Sequence, residues 1–175
     1  MRLKKCSLLS NTMKTGRYIF LSLIFLISCE ERIRRPPTFS LTPESLSIDI
    51  GPVGELTLQI NNLEDAIFGI SLRIAYDSTG VSFTGSTELG EGFFFDSETV
   101  TFIKDTSSAI HIATTLTSGE GVSGSGILYT LEFQGESQGS HPVEILPNFL
   151  FFYDSNGSKI TIPNLIINSA TINVE

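Results

Sequence analysis

The chain has 175 residues, no tryptophan and a formal charge of −8, which leaves room for one domain. All nineteen acidic residues follow Cys29, where only six of the eleven basic ones do, so the part from Cys29 onward carries −13. A surface this acidic repels phosphate backbones and excludes nucleic acid as a partner; the only cysteines, Cys6 and Cys29, are N-terminal, which excludes thiolate metal sites and cysteine nucleophiles from the body.

Lys14 and Arg17 precede an apolar run from Tyr18 to Ile27, and Ser28 and Cys29 follow it. This is the order of a cleavable signal: a charged region, an apolar region, then a small residue at the cut. The run is shorter than the roughly 20 apolar residues that span a bilayer, and Glu30, Glu31 and Arg32 follow at once. Leu26-Ile-Ser-Cys29 resembles a bacterial lipobox, which implies cleavage before Cys29 and acylation of its thiol. The expected organisation is a signal peptide over 1–28, with Met13 an alternative start, a lipidated Cys29 and tether over 29–38, and a domain over 39–175. Such a chain is secreted and anchored in the membrane of the cell envelope. Pro36 and Pro37 stiffen the tether, which at about 3.1 Å per residue keeps the domain close to the bilayer.

From Phe39 onward the pattern has period two, the mark of half-buried strands. Leu46 to Ile50 is a first short candidate. Glu55-Leu-Thr-Leu-Gln-Ile-Asn61 then alternates strictly, with Leu56, Leu58 and Ile60 on one face. Asn62 to Asp65 offers at most one helical turn. Gly69 to Tyr76 alternates through Ile70, Leu72, Ile74 and Tyr76. Val81 to Thr84, Thr99 to Lys104 and Ala109 to Thr115 are weaker strands, and Ile127 to Phe133 puts Ile127, Tyr129, Leu131 and Phe133 on one side. Val143 to Leu146, Phe149 to Tyr153, Lys159 to Ile162 and Ala170 to Val174 complete the series, with Asp154-Ser-Asn-Gly157 as a hairpin turn. Many short alternating strands predict an all-β fold, two antiparallel sheets packed as a β-sandwich of about nine strands.

Four segments resemble a cohesin domain, the jelly-roll-like sandwich by which scaffoldins hold dockerin-bearing enzymes. Leu46 to Asn62 resembles the first two strands of that family. Ile67-Phe-Gly-Ile-Ser-Leu-Arg-Ile-Ala-Tyr-Asp77 is similar to the third, Gly124 to Phe133 to its G-x-L-x-x-I-x-F strand, and Asp154 to Val174 to its closing hairpin and strand. The resemblance implies a non-catalytic module for protein–protein recognition, with a dockerin-type or other protein partner and a link to polysaccharide degradation. It also implies that one sheet presents its outer face to that partner. Carried over by position, the outward residues are Arg73, Ala75, Asp77, Ile103, His111, Ala113, Leu128 and Thr130, with Thr101 beside Ile103. Small and apolar residues at the centre suit an interface core.

Other chemistries fit less well. His111 alternates with Ile110 and Ile112 and so faces outward; His141 lies in a Gly-Ser-His-Pro turn, an ordinary surface position. Neither has a nucleophile motif beside it, so no enzyme is expected. Glu88, Glu91, Asp96 and Glu98 surround Gly90 and Gly92 and are weak calcium candidates, since the alternating Asp or Asn of a liganding loop is missing. A solvated loop without metal or other cofactor is the default. Phe93, Phe94 and Phe95 invite sugar stacking, but neighbours on a strand point to opposite faces. Rings of this group and of Phe149, Phe151 and Phe152 are assigned to the core. A carbohydrate-binding module is the alternative function, and a structural envelope lipoprotein the second alternative.

Overall fold

The computed structural model describes residues 35–87, 94–95 and 99–175. Cys29 and the calcium candidates Glu88, Glu91, Asp96 and Glu98 lie outside them. In chain order the strands are β1 (Thr38–Thr42), β2 (Ser45–Ile48), β3 (Val53–Ile67), β4 (Gly69–Tyr76), β5 (Val81–Thr87), β6 (Thr99–Asp105) and β7 (Ala109–Leu116). They continue with β8 (Val122–Gly135), β9 (Gly139–Ile145), β10 (Phe151–Tyr153), β11 (Lys159–Ile160), β12 (Ile166–Asn168) and β13 (Ala170–Val174). One 3-10 turn, Pro147–Phe149, leads into β10.

These thirteen strands form two sheets. The smaller runs β12-β1-β3-β8-β5. In the larger, β6 pairs β7 and β7 pairs β4. The far edge of β4 is shared: Gly69 to Ser71 pair with β10, and Ile74 to Tyr76 pair with β9. Beyond β9 come β13 and β2, and beyond β10 comes β11. The architecture is the expected sandwich with two differences. Short strands raise the number above nine, and the sheets are mixed, because β1–β12 and β2–β13 run parallel.

Alternation builds the core. Leu56, Leu58 and Ile60 of β3 face Ile70, Leu72 and Ile74 of β4 and Ile110 and Ile112 of β7, all almost wholly buried. Phe39 and Phe152 meet edge to face at 6.2 Å, and Phe133 contacts Tyr76 and Phe83 likewise. Phe94, Phe95 and Phe152 are core rings as expected, whereas Phe149 is exposed. Residues 62–65 form no helical turn. They belong to the long β3, whose pairing with β8 shifts between Ile60 and Leu63, and Asn62 takes the shift with a φ of 57°. Asn tolerates that region better than a branched residue would.

Leu128 is a correction. Tyr129 pairs with Leu58 and Ile127 with Gln59, so Leu128 is the extra residue of a bulge. The bulge turns its side chain into the core, where it is buried. Thr130 does point outward, but from β8 in the smaller sheet, opposite Thr57. Neither shares a face with Arg73.

Candidate functional site

The outer face of the larger sheet is built by register. Across β6, β7, β4 and β10 one row reads Val100, Thr115, Gly69, Tyr153, and the next reads Phe102, Ala113, Ser71, Phe151. A third reads Lys104, His111, Arg73. The first two rows have small residues in the middle and large apolar ones at the sides. The result is a trough of about 580 Å³, floored by Gly69, Ser71, Ala113 and Thr115 and walled by Val100, Phe102 and Tyr153. Val100 and Phe102 are 59% and 58% exposed, among the most exposed large apolar residues described. Three strand spacings, about 14 Å between backbones, separate the strands that carry the walls, and β7 and β4 form the floor between them.

The cationic row lies beside the trough. Arg73 stacks its guanidinium 4.0 Å from the Phe149 ring, and Lys159 sets its ammonium 3.6 Å from Phe151. His111 stands between Lys104 and Arg73. Burial, then the charges of Arg73 and Lys104, push its pKa below the usual histidine value.

Of the residues expected on one face, Arg73, Ala75, His111 and Ala113 share it. Ile103 and Thr101 do not. The pairing of Ile103 with Ile112 and of Thr101 with Thr114 turns both toward the core, so the intervening Val100, Phe102 and Lys104 face out. Thr101 is kept inward by a polar network: its hydroxyl lies 3.2 Å from that of Thr114 and 3.5 Å from that of Tyr129. Thr114 and Tyr129 are also bonded to each other. The β6 wall therefore escapes the sequence reading, because placing Thr101 and Ile103 outward leaves the intervening Val100 and Phe102 inward. One signal was present: Thr114 falls in phase with Ile110, Ile112 and Leu116, which marks an inward hydroxyl in need of partners.

Asp77 is not on the trough. It follows β4 and holds the turn into β5, accepting hydrogen bonds from the Thr79 hydroxyl at 2.6 Å and the Thr79 backbone N–H at 3.0 Å. Its other oxygen lies 2.9 Å from Nδ1 of His141. The Thr79 bonds, then that of His141, lower the Asp77 pKa to about 2. His141, expected at the surface, is 6% exposed, and its Nε2 lies 2.9 Å from the Ser137 carbonyl. Gly80 makes room for the ring: a Cβ there would stand 1.8 Å from His141 Cε1. Both ring nitrogens are engaged, and the Thr79 hydroxyl bonds the carboxylate rather than the imidazole. This His–Asp pair ties two turns together, and among the described residues no nucleophile bonds its imidazole.

The Asp154 turn is likewise structural. Asp154 Oδ1 accepts the backbone N–H groups of Asn156 and Ser158 at 2.9 and 2.8 Å and closes the β10–β11 hairpin. Among the described residues no group of three or more His, Cys, Asp or Glu is placed to hold a metal ion.

No protein-family model matches the chain, and no curated protein matches it. Solved structures do. A non-cellulosomal cohesin from the hyperthermophilic archaeon Archaeoglobus fulgidus is similar at a TM-score of 0.64 and 16% identity, over 81% of this chain and 92% of that one. The third cohesin of ScaC from Acetivibrio cellulolyticus, solved with the ScaB dockerin, matches at 0.64 and 15%, over 79% and 98%. The OlpC cohesin of Clostridium thermocellum, solved with a dockerin, matches at 0.62 and 16%, over 80% and 94%. At these identities the shared property is the fold, and the sandwich is that of a cohesin domain.

Proposed function

We propose that this domain is a non-catalytic protein-recognition module, docking a partner on the outer face formed by β6, β7 and β4 and flanked by β10. The observation that carries the reading is the trough: small residues on the floor, exposed Val100 and Phe102 along one wall, charges beside it. A floor two strands wide between side-chain walls admits one face of a helix or an extended segment. Exposed apolar residues gathered in one patch, rather than scattered, mark an interaction surface. Solved cohesins bound to dockerins support a protein ligand, and a dockerin-like module is the first class of partner to test. The signal-like N-terminus supports a lipid anchor on Cys29, which would hold the module at the cell envelope. The same likeness supports a role in assembling polysaccharide-degrading enzymes.

The test is binding of the chain from residue 34 onward, a compact unit with its own core. One arm offers purified dockerins, including those of the two complexes above; the other offers soluble and insoluble polysaccharides. Dockerin binding that Phe102→Asp and Ala113→Glu abolish, and that Thr57→Glu on the opposite sheet leaves intact, supports the reading. Saturable binding to polysaccharide alone replaces it with a carbohydrate-binding module.

A further inference from the structure

We propose that the partner of this face is an acidic protein segment, which sets a carboxylate on the row Lys104, His111, Arg73 and an apolar side chain in the adjoining trough, and that its binding takes up a proton. The proposal rests on the docking reading above.

Charge placement carries it. From residue 36 to the end, the sequence holds three Lys and Arg against seventeen Asp and Glu. Arg73 and Lys104 face outward in one cross-strand row, and Lys159 covers Phe151 on the same side. Every Lys or Arg after residue 35 thus stands on or beside one face of an otherwise acidic domain.

These charges are not neutralised within the domain. Among the described residues none of the three makes an ion pair; Arg73 and Lys159 contact aromatic faces. Arg73 Nε is buried without a hydrogen-bond partner, so the guanidinium has left water without full compensation. Nearby carboxylates do not supply it. Asp105 accepts from the Tyr76 hydroxyl and the Ser107 N–H, Asp154 caps its own turn, and Glu144 lies beyond the row, opposite Ala75. An arriving carboxylate meets attraction here and repulsion over most of the remaining surface, which fixes orientation as well as affinity. The trough begins one residue pair away, at Phe102, Ala113 and Ser71, so the apolar anchor lies beside the acid.

His111 links this contact to pH. The groups facing it are Lys104 from β6 and Arg73 from β4, with Ala109 and Ala113 beside it on β7 and Glu144 the carboxylate nearest by register across β4. Burial, then the two cations, disfavour its charged form in the free domain. A carboxylate over the row offsets both, raises the His111 pKa in the complex and draws a proton.

The experiment selects a displayed random-peptide library on the chain from residue 34 onward and on its Arg73→Glu, Lys104→Glu variant. A Phe102→Asp, Ala113→Glu variant and a polygalacturonate arm serve as controls. The expected result is enrichment of peptides carrying Asp or Glu beside Leu, Phe, Tyr or Trp. Their affinity falls at least about tenfold on charge reversal. It rises about three- to tenfold from about pH 8 to about pH 5, and this rise disappears in His111→Gln. Neutral or basic peptides that still need Phe102 and Ala113 overturn the acidic partner while sparing the docking face. Peptides indifferent to Phe102 and Ala113 overturn the docking face itself. No enrichment, or binding of polygalacturonate alone, overturns the proposal.

Discussion

Phe102 and Ala113 are cross-strand partners on the outer face of the larger sheet, a large exposed ring beside a methyl group. That pairing makes a wall and a floor from neighbouring strands and sets the depth of the trough. Because both residues lie outside the core, Phe102→Asp should change stability by no more than about 0.5 kcal/mol. Urea unfolding of the variant checks this, and an unchanged midpoint validates it as a probe of docking.

Leu128 behaves in the opposite way. Its side chain fills core space at the β8 bulge, so Leu128→Ala should cost about 2–5 kcal/mol. Leu128→Asp should fail to fold, since an unpaired carboxylate would be buried. Circular dichroism and urea midpoints test both. A folded, stable Leu128→Asp would show that the bulge turns this residue to solvent.

Gly80→Ala tests the packing of His141. The added Cβ overlaps the imidazole, so the ring must leave its place between Asp77 and Ser137. Overpacking of this kind costs about 1–3 kcal/mol. Thermal unfolding should show the loss, and His141→Ala in the same chain should recover part of it by removing the clash.

Asp77 gives the domain an acid-sensitive hold. Its folded pKa of about 2 lies below the ordinary 3.8, so between these values the folded state binds fewer protons than the unfolded one. The contribution is complete above the ordinary value and fades as pH falls toward the folded one. Asp77→Asn should lower stability at neutral pH and flatten the pH dependence in that window. Urea midpoints measured across acidic pH decide it; parallel curves for the two proteins would remove Asp77 from the account.

Much of the sandwich is legible from alternation alone, because Leu56, Leu58 and Ile60, or Ile70, Leu72 and Ile74, leave little choice of inward face. The features that escaped depend on partners far along the chain. Thr101 points inward because its hydroxyl shares a hydrogen-bond network with those of Thr114 and Tyr129, and Val100 and Phe102 face out as the consequence. Leu128 changes face because one residue is inserted opposite a continuous β3. His141 is buried by an acceptor 64 residues away. Short strands such as β11 and β12 hold too few residues for a period to appear. Half of the candidate face was readable, in Arg73, Ala75, His111 and Ala113, where β4 and β7 are regular; the walls were not.

The most direct test places a photo-crosslinking benzoylphenylalanine at position 102 in the full chain in its producing cell. A second form carries it at position 130, on the opposite sheet. Covalent protein adducts, identified by mass spectrometry, are expected from position 102, and none above background from position 130. Adducts from position 130 alone, or equal yields from both, would contradict a docking face on β6, β7 and β4.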